Sequence, residues 1–294
     1  MTIAVVTVAR AGPEALVRLL NDLRVEGLGH ETIVVNCSGD GVTGAIAERF
    51  PGLKMVVASP NLTGAQARYA GIRHTTADVV AVVHERYKIQ PGWFGAIEAA
   101  HQQEIDVAGG GIGPAPGFSG LEWAMYLTEY SQVAPPLPEG LLDLQSAMLL
   151  PGGNVSYKRR VFELAPMDQA LSELDFHEAL HRAGARFSRS RGMDVQFAAP
   201  LSLDEYREER SKFSRAYSAR RFAGASAPAR VLAAASRLAL PPLLLTRYAR
   251  QSLAKDNLRT RLWTALPWMA YFAWIQMRAE MAGILNGSAG PQPS

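Results

Sequence analysis

His84, Glu85 and Arg86 are three consecutive polar residues that directly follow the largely apolar run 77–83. A valine-rich run with little alternation is typical of a central strand in a parallel sheet. In open α/β sheets, ligands bind at the carboxyl ends of such strands. Arginine pairs well with phosphate oxygens, while histidine and glutamate supply donors and acceptors for hydroxyl groups. The tripeptide therefore marks the edge of the sheet at which a ligand site is expected, with Arg86 a candidate for pairing with phosphate oxygens.

A helix just before this strand carries a second candidate cation, Arg68. Asn61 and Thr63 are residue types that cap helix starts well, so the helix is expected to begin near the strand ends. We therefore expect Arg68 to act with Arg86 on phosphate oxygens in a forked geometry.

The first sixty residues alternate between strand-like and helix-like segments. TIAVVTVAR, HETIVVNCSG and LKMVVASP predict strands, and GPEALVRLLNDLRVEG and GVTGAIAERFPG predict helices. This β-α-β-α-β order with right-handed crossovers places the carboxyl ends of the strands along one edge of a parallel sheet. Three polar clusters should meet at that edge, at residues 7–10, 36–40 and 84–86.

Each polar cluster suits one part of a nucleotide diphosphate. Backbone groups of Val8 and Ala9 can read a base edge, and Asn36 or Asp40 can accept hydrogen bonds from base or ribose donors. The alternative is that Asn36 and Asp40 are ordinary turn residues, and that Arg10 is a solvated loop charge.

The composition describes a globular chain. Its 294 residues are 48% hydrophobic and 19% charged, enough for one large core or two modest ones. The single cysteine, Cys37, excludes a disulfide framework and suits a small buried residue.

The start MTIAVVTVAR lacks signal-peptide features, which predicts a cytoplasmic location. No Walker loop, HExxH or paired CxxC occurs, and Pro114 breaks the helix that GGGIG at 109–113 would need for dinucleotide binding.

Five further segments follow one another along the chain: VTVAR at 6–10, VVNCSGDG at 34–41, NLTGAQARYAGI at 61–72, PGW at 91–93 and GGNVSYKRRVFE at 152–163. Together they resemble the family 2 glycosyltransferases, which move a sugar from a nucleotide diphosphate to an acceptor. TEYSQVAPPLPEG at 128–140 is similar to a bacterial subgroup. The resemblance covers residues 1–200 and implies the GT-A fold, a mostly parallel, Rossmann-like α/β sheet.

The family usually carries Asp-x-Asp after its central strand, with one carboxylate directed at the ribose and the other on Mg or Mn. This chain has His84, Glu85 and Arg86 there. Glu85 can supply one metal ligand, joined by His84 for manganese, whereas Arg86 repels a cation. Two alternatives are therefore open: a divalent metal, Mg or Mn, held by Glu85, and a site without a metal. Either Arg86 neutralises the leaving diphosphate in place of a metal, or catalysis has been lost.

The resemblance also implies a general base on a helix after GGNVSY. Alignment of LSELDFHEALHRAGARF places Glu173 at the position of the family's aspartate base. The alternative is that Glu173 is a helix-start residue favoured by the helix dipole. Gly153 and Asn154 are expected in a turn at the sugar, with Asn154 bonding donor or acceptor hydroxyls. Residues 114–150, rich in proline and poor in charge, are expected to form a mobile acceptor loop.

The C-terminal third is basic and apolar. Residues 203–261 hold thirteen Lys or Arg against five Asp or Glu. Apolar runs at 231–245 and 262–277 flank a basic linker, and Pro267 interrupts the second run. Its sixteen residues fall short of the roughly 20 needed to cross a bilayer, which favours helices lying in the membrane interface. The alternative is ordinary helices packed on the catalytic domain. No nucleic-acid-binding signature accompanies the charge, so nucleic acid is not expected.

These patterns predict a GT-A domain at 1–202, a basic, membrane-associating helical extension at 203–286 and a disordered tail at 287–294. We expect an inverting glycosyltransferase that uses a nucleotide-sugar donor and a lipid-linked or polysaccharide acceptor in cell-envelope biosynthesis. Its expected location is cytoplasmic, peripheral or monotopic on the anionic inner face of the cell membrane. The alternative is a GT-A protein without turnover that binds the donor or organises partners there.

Overall fold

The structure, a computed structural model, describes residues 1–10, 12–26, 29–39, 46, 49–50, 52–165, 167, 173–198 and 200–286. The chain forms two compact units, the first comprising 1–115 and 133–199 and the second 116–132 and 200–294. The second unit thus includes the segment 116–132, which the sequence-based division placed in the catalytic domain. Asp40, most of the predicted helix at 41–52 and the predicted tail lie outside the described residues.

The strands of the first unit form two sheets in the described part of the chain. In chain order they are β1 (Ile3–Ala9), β2 (Glu31–Asn36), β3 (Lys54–Val57), β4 (Val79–Val83), β5 (Tyr87–Lys88), β6 (Val107–Gly109), β7 (Ile112–Pro114), β8 (Gly140–Leu141), β9 (Asn154–Lys158), β10 (Phe187–Arg189) and β11 (Val195–Phe197). The large sheet has the order β3-β2-β1-β4-β9-β6-β10-β8, and the small sheet has the order β5-β11-β7. The predicted mostly parallel α/β sheet is confirmed.

The helices of both units, in chain order, are α1 (Pro13–Glu26), α2 (Gly64–Ile72), α3 (Trp93–Gln102), α4 (Gly120–Tyr130), α5 (Leu144–Ala147), α6 (Val161–Leu164), α7 (Glu173–Arg182), α8 (Leu203–Arg221), α9 (Ala227–Ser236), α10 (Leu240–Leu253) and α11 (Asp256–Asn286). Helix α2 starts as predicted. The Thr63 side chain accepts from the Gln66 amide, and the Gln66 side chain accepts from the Thr63 amide. This capping box fixes where the helix that carries Arg68 begins.

In the large sheet, β2 and β3 lie on one side of β1, and the next strand in the sequence, β4, lies on its other side. Pairing of β1 with β4 ends at Val6 and Val82, whereas pairing of β1 with β2 continues to Ala9 and Asn36. The strand ends therefore separate on one side of β1. This is the topological switch point at which ligands bind in open α/β sheets.

Strand β9 enters the sheet antiparallel between β4 and β6, an arrangement that the sequence did not indicate. Its register pairs Val83 with Asn154. The turn before β9, at Gly152 and Gly153, therefore lies beside the carboxyl end of β4. Behind this edge, a core that includes Val82, Tyr157 and Phe176 fixes both strands in place.

The second unit is helical in the residues that the structure describes, and it corrects two expectations. Residues 120–130 form α4, which starts with a Ser119–Glu122 capping box, so this part of the expected acceptor loop is a helix. Pro267 lies inside α11 and does not end it. Arg210 links α8 to α10 and α11, because its guanidinium donates to Tyr206 Oη (3.3 Å), Tyr248 Oη (3.1 Å) and Gln276 Oε1 (2.7 Å).

Candidate active site

His84 is the first residue after β4, and its ring is held by the neighbouring backbone. Its amide donates to the Gly153 carbonyl (2.9 Å), and its Nδ1 accepts from the Arg86 amide (3.1 Å). A backbone amide can only donate, so the proton of the neutral ring lies on Nε2. Burial, and then the positive charges of Arg86, Arg68 and Arg10, lower the pKa of His84 to about 3. His84 is therefore a neutral N–H donor at physiological pH.

Glu85 and Arg10 bring the ends of β4 and β1 together, as the meeting of polar clusters predicted. The Arg10 amide donates to Glu85 Oε1 (2.9 Å), and the Arg10 guanidinium donates to the Leu62 carbonyl. Residues 36–39 of the third polar cluster also lie at this edge, because the Cys37 amide donates to the Ala9 carbonyl (3.0 Å). Cys37 is buried, and burial raises the pKa of its thiol. Arg10 is thus part of the site through its backbone amide, a contact that the sequence did not indicate, while its side chain is exposed as expected of a loop charge.

Arg68 and Glu173 form an ion pair between α2 and α7, and both side chains are mostly buried. The Gly152–Gly153 turn lies against this pair on one side and His84 on the other. A Cβ added at Gly152 would lie 2.2 Å from Glu173 Cγ, and one at Gly153 would lie 3.0 Å from His84 Cβ. The structure therefore brings His84, Arg68 and Glu173 around one turn.

Asn36 and Asn154, two residues predicted to bind the ligand, form hydrogen bonds within the protein instead. Asn36 Oδ1 accepts from the Ser38 amide (3.0 Å) and the Ser38 hydroxyl (2.6 Å), so both of its lone pairs serve the turn after β2. Asn154 is fully buried and donates to the Gly111 carbonyl (3.2 Å) and the Met193 carbonyl (2.7 Å). Acceptance of a hydrogen bond from base or ribose donors by Asn36 Oδ1, and hydrogen bonding to sugar hydroxyls by the buried Asn154, do not fit this geometry.

The described residues do not fit a divalent cation well. Among them, no group of three or more His, Cys, Asp or Glu side chains is placed to hold a metal ion. The Glu85 side chain, the predicted ligand, is buried against the Arg10 amide, and His84 Nε2 carries a proton. Positive charge at this edge comes from Arg86, Arg68 and Arg10. The base-reading role of Val8 and Ala9 stays a prediction.

The fold and the site together define a GT-A glycosyltransferase. Residues 2–164, more than half of the chain, match the family model of glycosyl transferase family 2. The chain belongs to that family. Glu173 lies beyond the matched residues, so its role depends on the geometry described above. No curated protein sequence matches the chain significantly.

Many solved structures resemble the chain, including the following two. The mannosyltransferase PcManGT from Pyrobaculum calidifontis, in complex with GDP-Man and Mn2+, is 15% identical with a TM-score of 0.51, and the match covers 95% of this chain and 86% of that one. S. aureus TarS 1-349 is 14% identical with a TM-score of 0.50, over 73% of this chain. The chain spans only 64% of the TarS structure. At these identities the likeness supports the fold alone.

Proposed function

We propose that this glycosyltransferase moves a sugar from a nucleotide-diphosphate sugar to a lipid-linked or membrane-proximal acceptor, with inversion in a single displacement. The observation that carries the proposal is the convergence of His84, Arg86, Arg68 and Glu173 at the switch point of the sheet. Phosphate-binding cations and one carboxylate are the groups that this transfer requires.

Arg86 and Arg68 bind the diphosphate of the donor in this proposal. Their charges stabilise the negative charge that develops on the leaving group, and His84 donates Nε2–H to a phosphate oxygen. A complex with GDP-Man in the PcManGT structure is consistent with a nucleotide-sugar donor. The proposed reaction takes no step through a metal, because the described residues provide cations where carboxylate ligands would be needed.

Glu173 is the proposed general base. As the acceptor oxygen forms its bond to the anomeric carbon, Glu173 takes the hydroxyl proton and the bond to the diphosphate oxygen breaks. The nucleoside diphosphate leaves with that electron pair, and attack from the opposite face inverts the anomeric centre. The ion pair with Arg68 holds the Glu173 carboxylate beside the Gly152–Gly153 turn before substrates bind.

The acceptor class is inferred from the apolar surface of the second unit. Residues 227–253 are long and apolar enough to cross a membrane by length and composition, yet only 11% of their most apolar stretch of 18 residues is buried. Leu232, Leu238 and Leu243 are each more than 60% exposed. Large exposed apolar surfaces mark interaction sites, and amphipathic helices of this kind lie in the plane of a membrane. This supports a peripheral or monotopic enzyme that acts at the inner face of the cell membrane.

The proposal can be tested by incubating the protein with radiolabelled UDP- and GDP-sugars and bacterial membranes. We expect label in the organic-solvent extract, and loss of that label in a Glu173→Gln variant. Donor binding without transfer for every combination of donor and membrane would favour the alternative of a binding protein without turnover.

A further inference from the structure

A cationic groove lies within the second unit, between α8 and α11. Arg207, Ser211 and Arg215 are spaced four residues apart on α8 and so share one face of that helix. Opposite them, Tyr271, Trp274 and Arg278 are spaced three and four residues apart on α11. The groove encloses about 270 Å³. None of its residues belongs to the candidate active site.

The charge of the groove is one-sided. Three guanidinium groups and no carboxylate line it. Within the described part of the chain, Arg215 and Arg278 make no ion pair, and Arg207 pairs only with the solvent-exposed Asp204 (3.0 Å). The Arg278 guanidinium lies 4.7 Å from the ring centroid of Trp274, which orients it without neutralising it. Planar guanidinium groups arranged in this way favour a phosphate ligand.

Exposed aromatic side chains continue from the groove along α11. The ring centroids of Trp268 and Tyr271 are 6.3 Å apart, and those of Tyr271 and Trp274 are 6.4 Å apart. Trp263 is 67% exposed and Trp274 is 45% exposed. These two residues are eleven positions apart, about three helical turns, so they lie on the same side of α11. Tryptophan beside arginine is the composition that suits headgroup depth in a bilayer.

We propose that this groove binds the phosphate of an anionic membrane lipid. The guanidinium groups contact the phosphate, while Trp274 and the aromatic side chains that continue from it enter the headgroup layer. Charge complementarity favours an anionic ligand, and the continuous exposed aromatic surface favours a lipid over a free phosphate ion. The inference does not depend on sugar transfer, because lipid binding can be measured without a donor or an acceptor.

The test is cosedimentation of the full chain with vesicles of pure phosphatidylcholine and with vesicles containing one part phosphatidylglycerol to three parts phosphatidylcholine. The groove variant is Arg215→Ala with Arg278→Ala. The control, Arg73→Ala with Arg220→Ala, removes the same charge from two exposed positions outside the groove. Thermal unfolding of both variants checks that they fold like the wild type.

We expect the wild type to bind the anionic vesicles and the groove variant to bind them about 25-fold more weakly, or roughly fivefold for each arginine near an anionic surface. The control pair should lose less than about threefold. Equal losses in the two variants would show diffuse attraction and overturn the site, as would a groove variant that binds like the wild type. A second arm adds inorganic phosphate at constant ionic strength. Release of the wild type at phosphate concentrations well below that of the anionic lipid would show that the groove prefers free phosphate and would overturn the lipid ligand.

Discussion

Arg68 and Glu173 are separated by more than a hundred residues, yet they form an ion pair beside the Gly152–Gly153 turn. The pair fixes the position of the proposed base and neutralises one of the proposed phosphate-binding cations. A bound diphosphate would compete for Arg68 and so release the Glu173 carboxylate for the acceptor hydroxyl. The arrangement links donor binding to exposure of the base.

Replacing Glu173 by glutamine should lower kcat by at least about 100-fold, because general base catalysis typically contributes that much or more. The affinity for the donor should not fall, since Arg68 then meets the diphosphate without a competing carboxylate. Steady-state kinetics and donor titration measure both effects. Glu178→Gln is the matched control, because Glu178 lies on the same helix and pairs with Arg182. An equal loss of kcat in the two variants would assign the effect to the helix and not to the base.

Gly152→Ala should reduce turnover about 100-fold, since the new methyl group would overlap Glu173 and displace its carboxylate. Gly113→Ala is the control, because a Cβ there meets only the Val195 carbonyl, at 3.7 Å. Thermal unfolding and kcat should be measured for both proteins. A fully active Gly152→Ala enzyme would contradict the placement of Glu173 at this turn.

The free energy of unfolding should decrease as the pH falls from 6.5 towards 4. His177 is fully buried with its Nε2 2.8 Å from Tyr157 Oη, and burial lowers its pKa to about 4. Between pH 6.5 and pH 4, His177 is protonated in the unfolded chain but not in the folded chain. The free energy of unfolding therefore decreases by about 1.4 kcal/mol for each pH unit of acidification from this group. Urea unfolding at pH 7 and pH 5 should show a smaller pH dependence in His177→Gln than in the wild type. An unchanged dependence would mean that His177 titrates normally in the folded protein.

Donor affinity should not depend on a divalent metal. Because Arg86 and Arg68 supply the positive charge, EDTA should change the dissociation constant of a nucleoside diphosphate by less than about twofold. The double variant His84→Asp with Arg86→Asp should instead bind more tightly when manganese is added, since it supplies two carboxylates. Calorimetric titration with and without manganese measures both. Loss of wild-type binding in EDTA would show that a divalent metal takes part in donor binding.

The alternating strands and helices of the first sixty residues predicted the parallel part of the sheet, because their hydrophobic patterns are local. The antiparallel entry of β9 was not predictable, since strand direction depends on pairing between distant segments. Prolines led to two wrong predictions, a loop at 120–130 and a helix break at Pro267. The segment 114–150 is rich in proline as a whole, yet its proline-free part Gly120–Tyr130 is a capped helix, and α11 continues through Pro267.

The candidate site was predictable where a strand end fixes the position, as at His84, Glu85 and Arg86. It was not predictable where side-chain bonding decides the role. Asn154 has the right type and place for a sugar ligand, but neighbouring carbonyls occupy its amide hydrogens. Arg10 has the exposed side chain of a loop residue, yet its backbone amide donates a hydrogen bond to the Glu85 carboxylate.

The most direct test of the account is the dissociation constant of UDP and GDP for the wild type and for Arg86→Gln, measured by calorimetry in EDTA. Lys88→Gln is the control, because it removes the same charge from an exposed residue two positions away. A charge-assisted contact to phosphate predicts weakening of at least about tenfold for Arg86→Gln and less than twofold for the control. Unchanged binding by Arg86→Gln would contradict a diphosphate site at the end of β4.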